Sequence, residues 1–263
     1  MVSVDMLRIK SRVPLNVWDR IHGRLLSDPD IECWIDSRIN CYRYNYVFRK
    51  GDAGSYYFAY KHNSEKQGNF KFFLVVEFNP NKCELKGLLR QLIDLLGEDF
   101  EVVLCDIAWD FYDMDIRSIS VDKGKKKVLK TFDYGGDDIT YYIGEGDGRV
   151  KIYNKAREEK VEGSWVRYEV TWYVREKLSN IEHWYPREDA PKLYYYSQQE
   201  LSFDPTLDAI MYAVERGYPL NRLSRRYKEK ALKCLKARSE VSIDFKEGRR
   251  KLLDLLNYIT LRY

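Results

Sequence analysis

A period-two alternation of aromatic and β-branched residues constrains this chain more than any other feature. It runs from Tyr42 to Phe78, with breaks at Lys50-Gly51-Asp52 and at Glu65-Lys66-Gln67-Gly68. Successive side chains of a strand point to opposite faces, so the pattern predicts antiparallel strands joined by turns. Further strands are predicted from Phe100 to about Phe111, near 140–145 and 149–156 with a turn at Glu145-Gly146-Asp147-Gly148, and from Trp165 to Val174. Residues 112–139, rich in Asp, Lys and Gly, read as a hairpin or long loop. After Asn79-Pro80-Asn81 the period changes. Leu85, Leu88, Leu89, Leu92, Ile93 and Leu96 recur at three and four, the stripe of a helix stopped at Gly97.

A second change of period follows Pro186 and Pro191. Asp204-Pro205 reads as an N-cap and first-turn proline, Leu207, Ile210, Met211 and Val214 share one side, and Gly217 and Pro219 end that helix. Two more helices are predicted near 221–238 and 247–261. The expected fold is therefore α+β: an antiparallel central sheet with flanking helices and a C-terminal helical, basic region. The expected domains are 1–190 and 191–263.

With 263 residues, 44% of them hydrophobic, the chain can bury one large core, or one core and a smaller appended domain. It has no run of about 18 apolar residues and its start lacks a secretory pattern, so a soluble, cytoplasmic protein without membrane contact is expected. The five cysteines (Cys33, Cys41, Cys83, Cys105, Cys234) are scattered and form no CxxC pair, which suits reduced core residues. From Arg216 onward 14 Lys and Arg face five acids, a net of +9, which leaves the preceding residues at −5 of the whole-chain +4. A basic tail on a mildly acidic body suits contact with a polyanion. Arg222, Arg225, Arg226, Lys228 and Lys230 are the candidate DNA-binding residues, on a helix that reads either as a helix-turn-helix-like reader or as a clamp or dimer-forming tail.

Splitting each strand into its two faces isolates a second, chemical pattern. From Lys71 to Phe78 the core list is Phe72, Leu74, Val76 and Phe78, and the other face ends in Glu77. From Val102 to Asp110 the core list is Val103, Cys105, Ile107 and Trp109, against Val102, Leu104, Asp106, Ala108 and Asp110, where small Ala108 leaves space between two carboxylates. Lys151, Tyr153 and Lys155 oppose Val150 and Ile152, and Arg167, Glu169 and Thr171 oppose Val166, Tyr168 and Val170. If these strands are neighbours, one face gathers four acids, a tyrosine, two lysines and an arginine. A merely solvated sheet face is the competing explanation.

Clustered carboxylates repel one another unless a cation neutralises them, and oxygen-only ligands favour magnesium or manganese (Mg2+ or Mn2+) over zinc. Glu77, Asp106, Asp110 and Glu169 are the candidate ligands. His22, His62 and His183 stand isolated and read as surface or packed residues. Tyr153 is the candidate nucleophile. A phenol, with pKa about 10, must lose its proton during attack, assisted by nearby positive charge from Lys155 or a metal, with Arg167 or Lys155 sharing the charge that develops on a phosphate. There is no GxxxxGK[ST] loop and no GxGxxG turn after a strand. Tyr42, Tyr44, Tyr46, Tyr56, Tyr57 and Tyr60 read mostly as ordinary strand residues, with stacking on unpaired bases as the alternative.

Three stretches in order, Cys105-Asp106-Ile107-Ala108-Trp109-Asp110, Tyr142-Ile143-Gly144 leading to Arg149-Val150-Lys151-Ile152-Tyr153-Asn154-Lys155-Ala156, and Trp165-Val166-Arg167-Tyr168-Glu169, resemble the replication initiators of rolling-circle plasmids from Gram-positive bacteria, the Rep_trans family, whose relatives include relaxases of integrative conjugative elements. The resemblance spans about residues 70–175. It implies a nicking-closing catalytic domain over 1–190 that binds the double-strand plasmid origin and cuts one strand at a single-stranded or cruciform site. Tyr153 would form the covalent link and Asp106, Asp110 and Glu169 would hold the metal, while Glu77 comes from the face pattern alone. It further implies a host helicase as partner, a homodimer and a C-terminal origin-specificity region. The paired histidines of the wider nickase superfamily are absent. A conjugative relaxase, a hydrolytic metal-dependent nuclease and a non-catalytic DNA-binding protein are the alternative readings.

Overall fold

The computed structural model describes residues 1–34, 42–49, 54–62, 71–187, 189–196, 205–215 and 218–261. The breaks expected at residues 50–52 and 65–68, the N-cap Asp204, the stop at Gly217 and Cys41 lie outside them. In chain order the elements are β1 (Val2–Arg12), α1 (Leu15–Ser27), β2 (Ile31–Trp34), β3 (Tyr42–Arg49), β4 (Ser55–His62), β5 (Lys71–Phe78), α2 (Gly87–Leu96), β6 (Glu101–Tyr112), β7 (Ile119–Asp122), β8 (Leu129–Asp133), β9 (Ile139–Ile143), β10 (Arg149–Asn154), α3 (Lys155–Glu158), β11 (Trp165–Trp172), β12 (Glu176–Lys177), β13 (Lys192–Tyr195), α4 (Pro205–Glu215), α5 (Arg225–Ala237), β14 (Ser239–Val241) and α6 (Phe245–Thr260). Antiparallel sheets with flanking helices place the chain in the α+β class, as expected. No described helix is long and apolar enough to cross a membrane.

The chain divides into two compact units, and not at 190/191. One comprises Met1, Trp109–Val170 and Arg187–Asp244, and the other Val2–Ala108, Thr171–Pro186 and Phe245–Tyr263. The region expected as one helical domain is shared between them: α4, α5, β13 and β14 belong to the first unit and α6 to the second.

In the second unit the strand order is β2-β3-β4-β5-β1-β6, with β12 paired to β6. Its core is aromatic: Trp18 of α1 stacks on Tyr60 at 4.4 Å between ring centroids, and Tyr46 stacks on Phe58 at 4.8 Å. Tyr42, Tyr46, Tyr56 and Tyr60 are buried and Tyr44 and Tyr57 half-buried, so these tyrosines serve the core. Leu74, Val76 and Phe78 are buried as expected, whereas Phe72 is exposed. The α2 stripe is Leu89, Leu92, Ile93 and Leu96, and Gly97, at φ +79°, ends the helix by donating its N–H to the Asp94 carbonyl. Leu252, Leu256 and Ile259 form the buried stripe of α6, which packs on β1.

In the first unit β11-β10-β9-β8 continue from the end of β6, and a separate sheet has the order β14-β13-β7. Residues 112–139, expected as a hairpin or long loop, contain β7 and β8. β8 pairs with β9 from Leu129↔Ile143 to Asp133↔Ile139, and β13 bridges β7 and β14. The α4 helix begins at Pro205, buries Leu207 and packs against α5. Between α4 and α5, Leu220–Arg222 form a single 3-10 turn. Cys83 and Cys105 are buried and Cys33 and Cys234 half-buried, and none of the four is in a disulfide.

Candidate active site

The site lies within the first unit and is built outward from β10. Val150 and Ile152 point into the core, so Lys151 and Tyr153 share the opposite face. Asn154 then changes the local structure. Its side-chain oxygen accepts from the Arg157 N–H, making it the N-cap of α3, so Lys155 opens a helical turn instead of continuing the strand. Asn154 Nδ2 donates to Asp137 Oδ2 (2.9 Å) and Arg157 Nη1 to Asp137 Oδ1 (3.1 Å), which tie this turn to the β8–β9 connection.

Because α3 turns back, the Lys155 ammonium reaches Glu158 Oε2 at 2.6 Å and Glu159 Oε1 at 2.5 Å while only 3% of the residue is exposed. Burial works against its charge and Arg167 adds repulsion, but the two carboxylates prevail and raise its pKa above the ordinary lysine value. Burial likewise opposes the charge of Glu158. The hydrogen bond and charge of Lys155, the charge of Lys151 and a hydrogen bond from the Tyr153 hydroxyl overcome it and hold Glu158 below the usual carboxylate range. Tyr153 therefore donates to an ionised carboxylate. The Lys151 ammonium lies 3.8 Å from the centre of the Tyr153 ring.

Tyr153, 5% exposed, lines an open cleft of about 840 Å³ with Lys151, Glu158, Arg157, Arg149, Lys130 and the aromatic residues Phe132, Tyr134 and Tyr142. Lys155 and Arg167 do not line it. The cation nearest the phenol ring on the cleft side is Lys151, and the Lys155 ammonium lies 5.9 Å from the centre of the same ring.

Arg167 is fixed by Asp110. Its Nε donates to Oδ1 at 2.7 Å and its Nη2 to Oδ2 at 2.9 Å, and the Trp165 indole N–H also donates to Oδ1 at 2.7 Å. The Asp110 side chain is 0% exposed. A forked guanidinium and an indole thus occupy both carboxylate oxygens. Asp110 anchors Arg167, which corrects its expected role as a metal ligand. Glu77 needs a similar correction: on β5 it sits in register with Arg8 of β1, and the two form an ion pair.

Asp106, on β6, is half-buried and Glu169, on β11, is buried. Among the described residues no three His, Cys, Asp or Glu are grouped so as to hold a metal ion. The polar face is also not a solvated one, since Ala108, Asp110, Arg167, Glu169 and Thr171 are all buried. Both faces of β11 are covered.

Arg222, Arg225, Arg226 and Lys228 are exposed and Lys230 is half-buried. Arg225 pairs with Glu229 at 3.0 Å, one turn along α5, and the Lys230 ammonium lies 5.7 Å from the centre of the Tyr227 ring. The sequence reading missed Glu158 and Trp165. Glu158 was within reach of the sequence, since Asn154 is a capping residue and a cap brings a residue four further on back over the strand end. Trp165 was not, because its partner Asp110 lies on another strand.

No family model matches the chain, and no curated protein matches it. Among solved structures the chain is similar to a rolling circle replication initiator protein from Geobacillus stearothermophilus, at 11% identity over 89% of this chain and 96% of that one, with a TM-score of 0.42.

Proposed function

We propose that the chain is a DNA nicking-closing enzyme that works through Tyr153, in the manner of a plasmid rolling-circle replication initiator. One observation carries this reading: the Tyr153 hydroxyl donates to an ionised Glu158 at the wall of a cleft lined by Lys130, Arg149, Lys151 and Arg157. A phenol bonded to a carboxylate has a proton acceptor in place, and lysines and arginines around it suit a phosphodiester.

In the proposed reaction the Tyr153 oxygen attacks the phosphorus as its proton passes to Glu158. The bond from phosphorus to the 3′ oxygen breaks, and that oxygen leaves as a hydroxyl with a proton from water. Lys151 offsets the charge on the phosphate. Closing is the reverse, with Glu158 returning its proton to the phenol oxygen. Lys155 orients Glu158, and the buried Asp110–Arg167 pair supports the strand ends behind it. Magnesium or manganese enters this reading as an ion carried by the DNA phosphates. A host helicase and a second copy of the chain are the partners the motif resemblance adds.

The test is incubation with a random-sequence pool of 3′-labelled single-stranded DNA and magnesium, then denaturation. We expect protein-linked DNA whose attached peptide contains Tyr153, and loss of the product on chelation if the ion takes part. Cleavage without linked protein would favour the hydrolytic nuclease, and no cleavage at all the non-catalytic binder.

The basic helix α5 is proposed to hold duplex DNA. Its exposed pair Arg225–Glu229 is worth only about 0.2–0.5 kcal/mol and yields readily to a phosphate. Replacing Arg225, Arg226 and Lys228 by Ala should lower the slope of log affinity against log salt by about 2.7, or about 0.9 per phosphate contact. An unchanged slope in a salt titration would remove α5 from the interface.

A further inference from the structure

We infer that the outer strand of the cleft, β8, is a stacking platform for unpaired nucleobases, so that the cleft holds single-stranded DNA across three strands with the phosphate end at Tyr153. The inference rests on the nicking reading for that end only.

Its basis is a pair of exposed aromatic rings. Phe132 is 43% and Tyr134 72% exposed, and their rings lie 6.5 Å apart and nearly parallel, at 14°. Tyr142 meets Phe132 edge-on at 5.7 Å. β8 is the last strand of its sheet, where exposed apolar side chains invite unwanted pairing unless they serve contact. The register sets these rings in two rows. One is Lys130 on β8, Tyr142 on β9 and Lys151 on β10, and the other is Phe132, Thr140 and Tyr153. At about 4.8 Å between strands, Phe132 stands about 10 Å from Tyr153 along its row.

Flat rings flanked by Lys130 and Lys151 offer a π-face to a base and a cation to its phosphate, which is how single strands are held without sequence preference. A duplex presents no free base face, so the platform should discriminate against it. The tyrosines of β3 and β4, considered from sequence as alternative stackers, are buried or half-buried in the core.

The test is fluorescence anisotropy of labelled oligothymidylate and of a labelled duplex, with the full chain and a chelator present and the probes checked to be intact afterwards on a denaturing gel. The Phe132→Ala, Tyr134→Ala double variant should bind oligothymidylate about tenfold or more weaker with duplex affinity unchanged, and the ring-keeping Phe132→Tyr, Tyr134→Phe variant should bind both as the parent does. Equal oligothymidylate affinity in parent and alanine variant, an equal loss for the duplex, or a loss in the ring-keeping variant overturns the platform, as does failure of the parent to bind. Because no covalent step is read, failure of the Tyr153 chemistry leaves this result standing, and the reverse also holds.

Discussion

Replacing Tyr153 by Phe is expected to lower the rate of strand cleavage by about a thousandfold or more, to the limit of detection. The substitution removes one oxygen and keeps the ring, so the contact with the Lys151 ammonium at 3.8 Å and the burial of the side chain persist. DNA binding by the variant should be close to that of the parent. Initial rates of protein-linked product measure the effect, and cleavage at the parent rate would end the tyrosine reading. Glu158→Gln retains an acceptor oxygen for the phenol but loses the charge that draws its proton. A loss of about a hundredfold is expected, at the lower end of what a general base supplies.

The pH profile separates proton acceptance by Glu158 from a structural role. A carboxylate held below its ordinary range contributes fully above its ordinary pKa and is lost only as pH falls through the lowered value. The raised Lys155 works in the opposite sense, contributing fully below the ordinary lysine value and fading as pH rises through the raised one. The pair therefore stays intact across neutral pH. The parent's acid limb should lie below the ordinary carboxylate range and be absent in Glu158→Gln.

Where apolar residues alternate along a strand, the core face was readable. Leu74, Val76 and Phe78 on β5 and Val150 and Ile152 on β10 are buried as the alternation predicts, and the burial of Val75 and Tyr153 on the opposite faces is what it did not show. The first strand was harder to see because its buried residues are Val4, Leu7 and Ile9, a step of three followed by a step of two, which breaks the alternation. β8 was hidden for a different reason: Leu129–Asp133 is an edge strand with no buried residue, so burial imposes no pattern on it. β6 and β11 misled in a third way. Their polar faces were legible as residues, but not as packed ones, since sequence alone does not give the cross-strand pairing that sets Asp110 against Arg167 and Trp165. The carboxylates looked like a ligand set because their partners, Arg167 for Asp110 and Arg8 for Glu77, sit on separate strands.

Those same pairings make Asp110→Ala the largest stability change expected. Asp110 accepts three hydrogen bonds through a side chain closed to solvent, and Arg167, itself 5% exposed, has its fork on both oxygens. Truncation takes the Asp110 counter-charge from a buried guanidinium and the acceptor from the half-buried Trp165 indole N–H. Breaking one side of such a pair costs about 3–5 kcal/mol, because the abandoned charge keeps its desolvation penalty. Asp110→Asn should cost less, since an amide oxygen can still accept from Trp165 or Arg167. Denaturant unfolding measures both, and with two compact units present the transition should be followed by tryptophan fluorescence as well as by helix content. The outcome also decides what Asp110 is for. A ligand carboxylate would lose metal response and leave the apo protein no less stable, because relieving repulsion among acids stabilises a fold. An anchor loses stability with or without an added ion, because Asp110 then holds the always-charged guanidinium of Arg167 in place, and with it the electrostatic surroundings of Lys155.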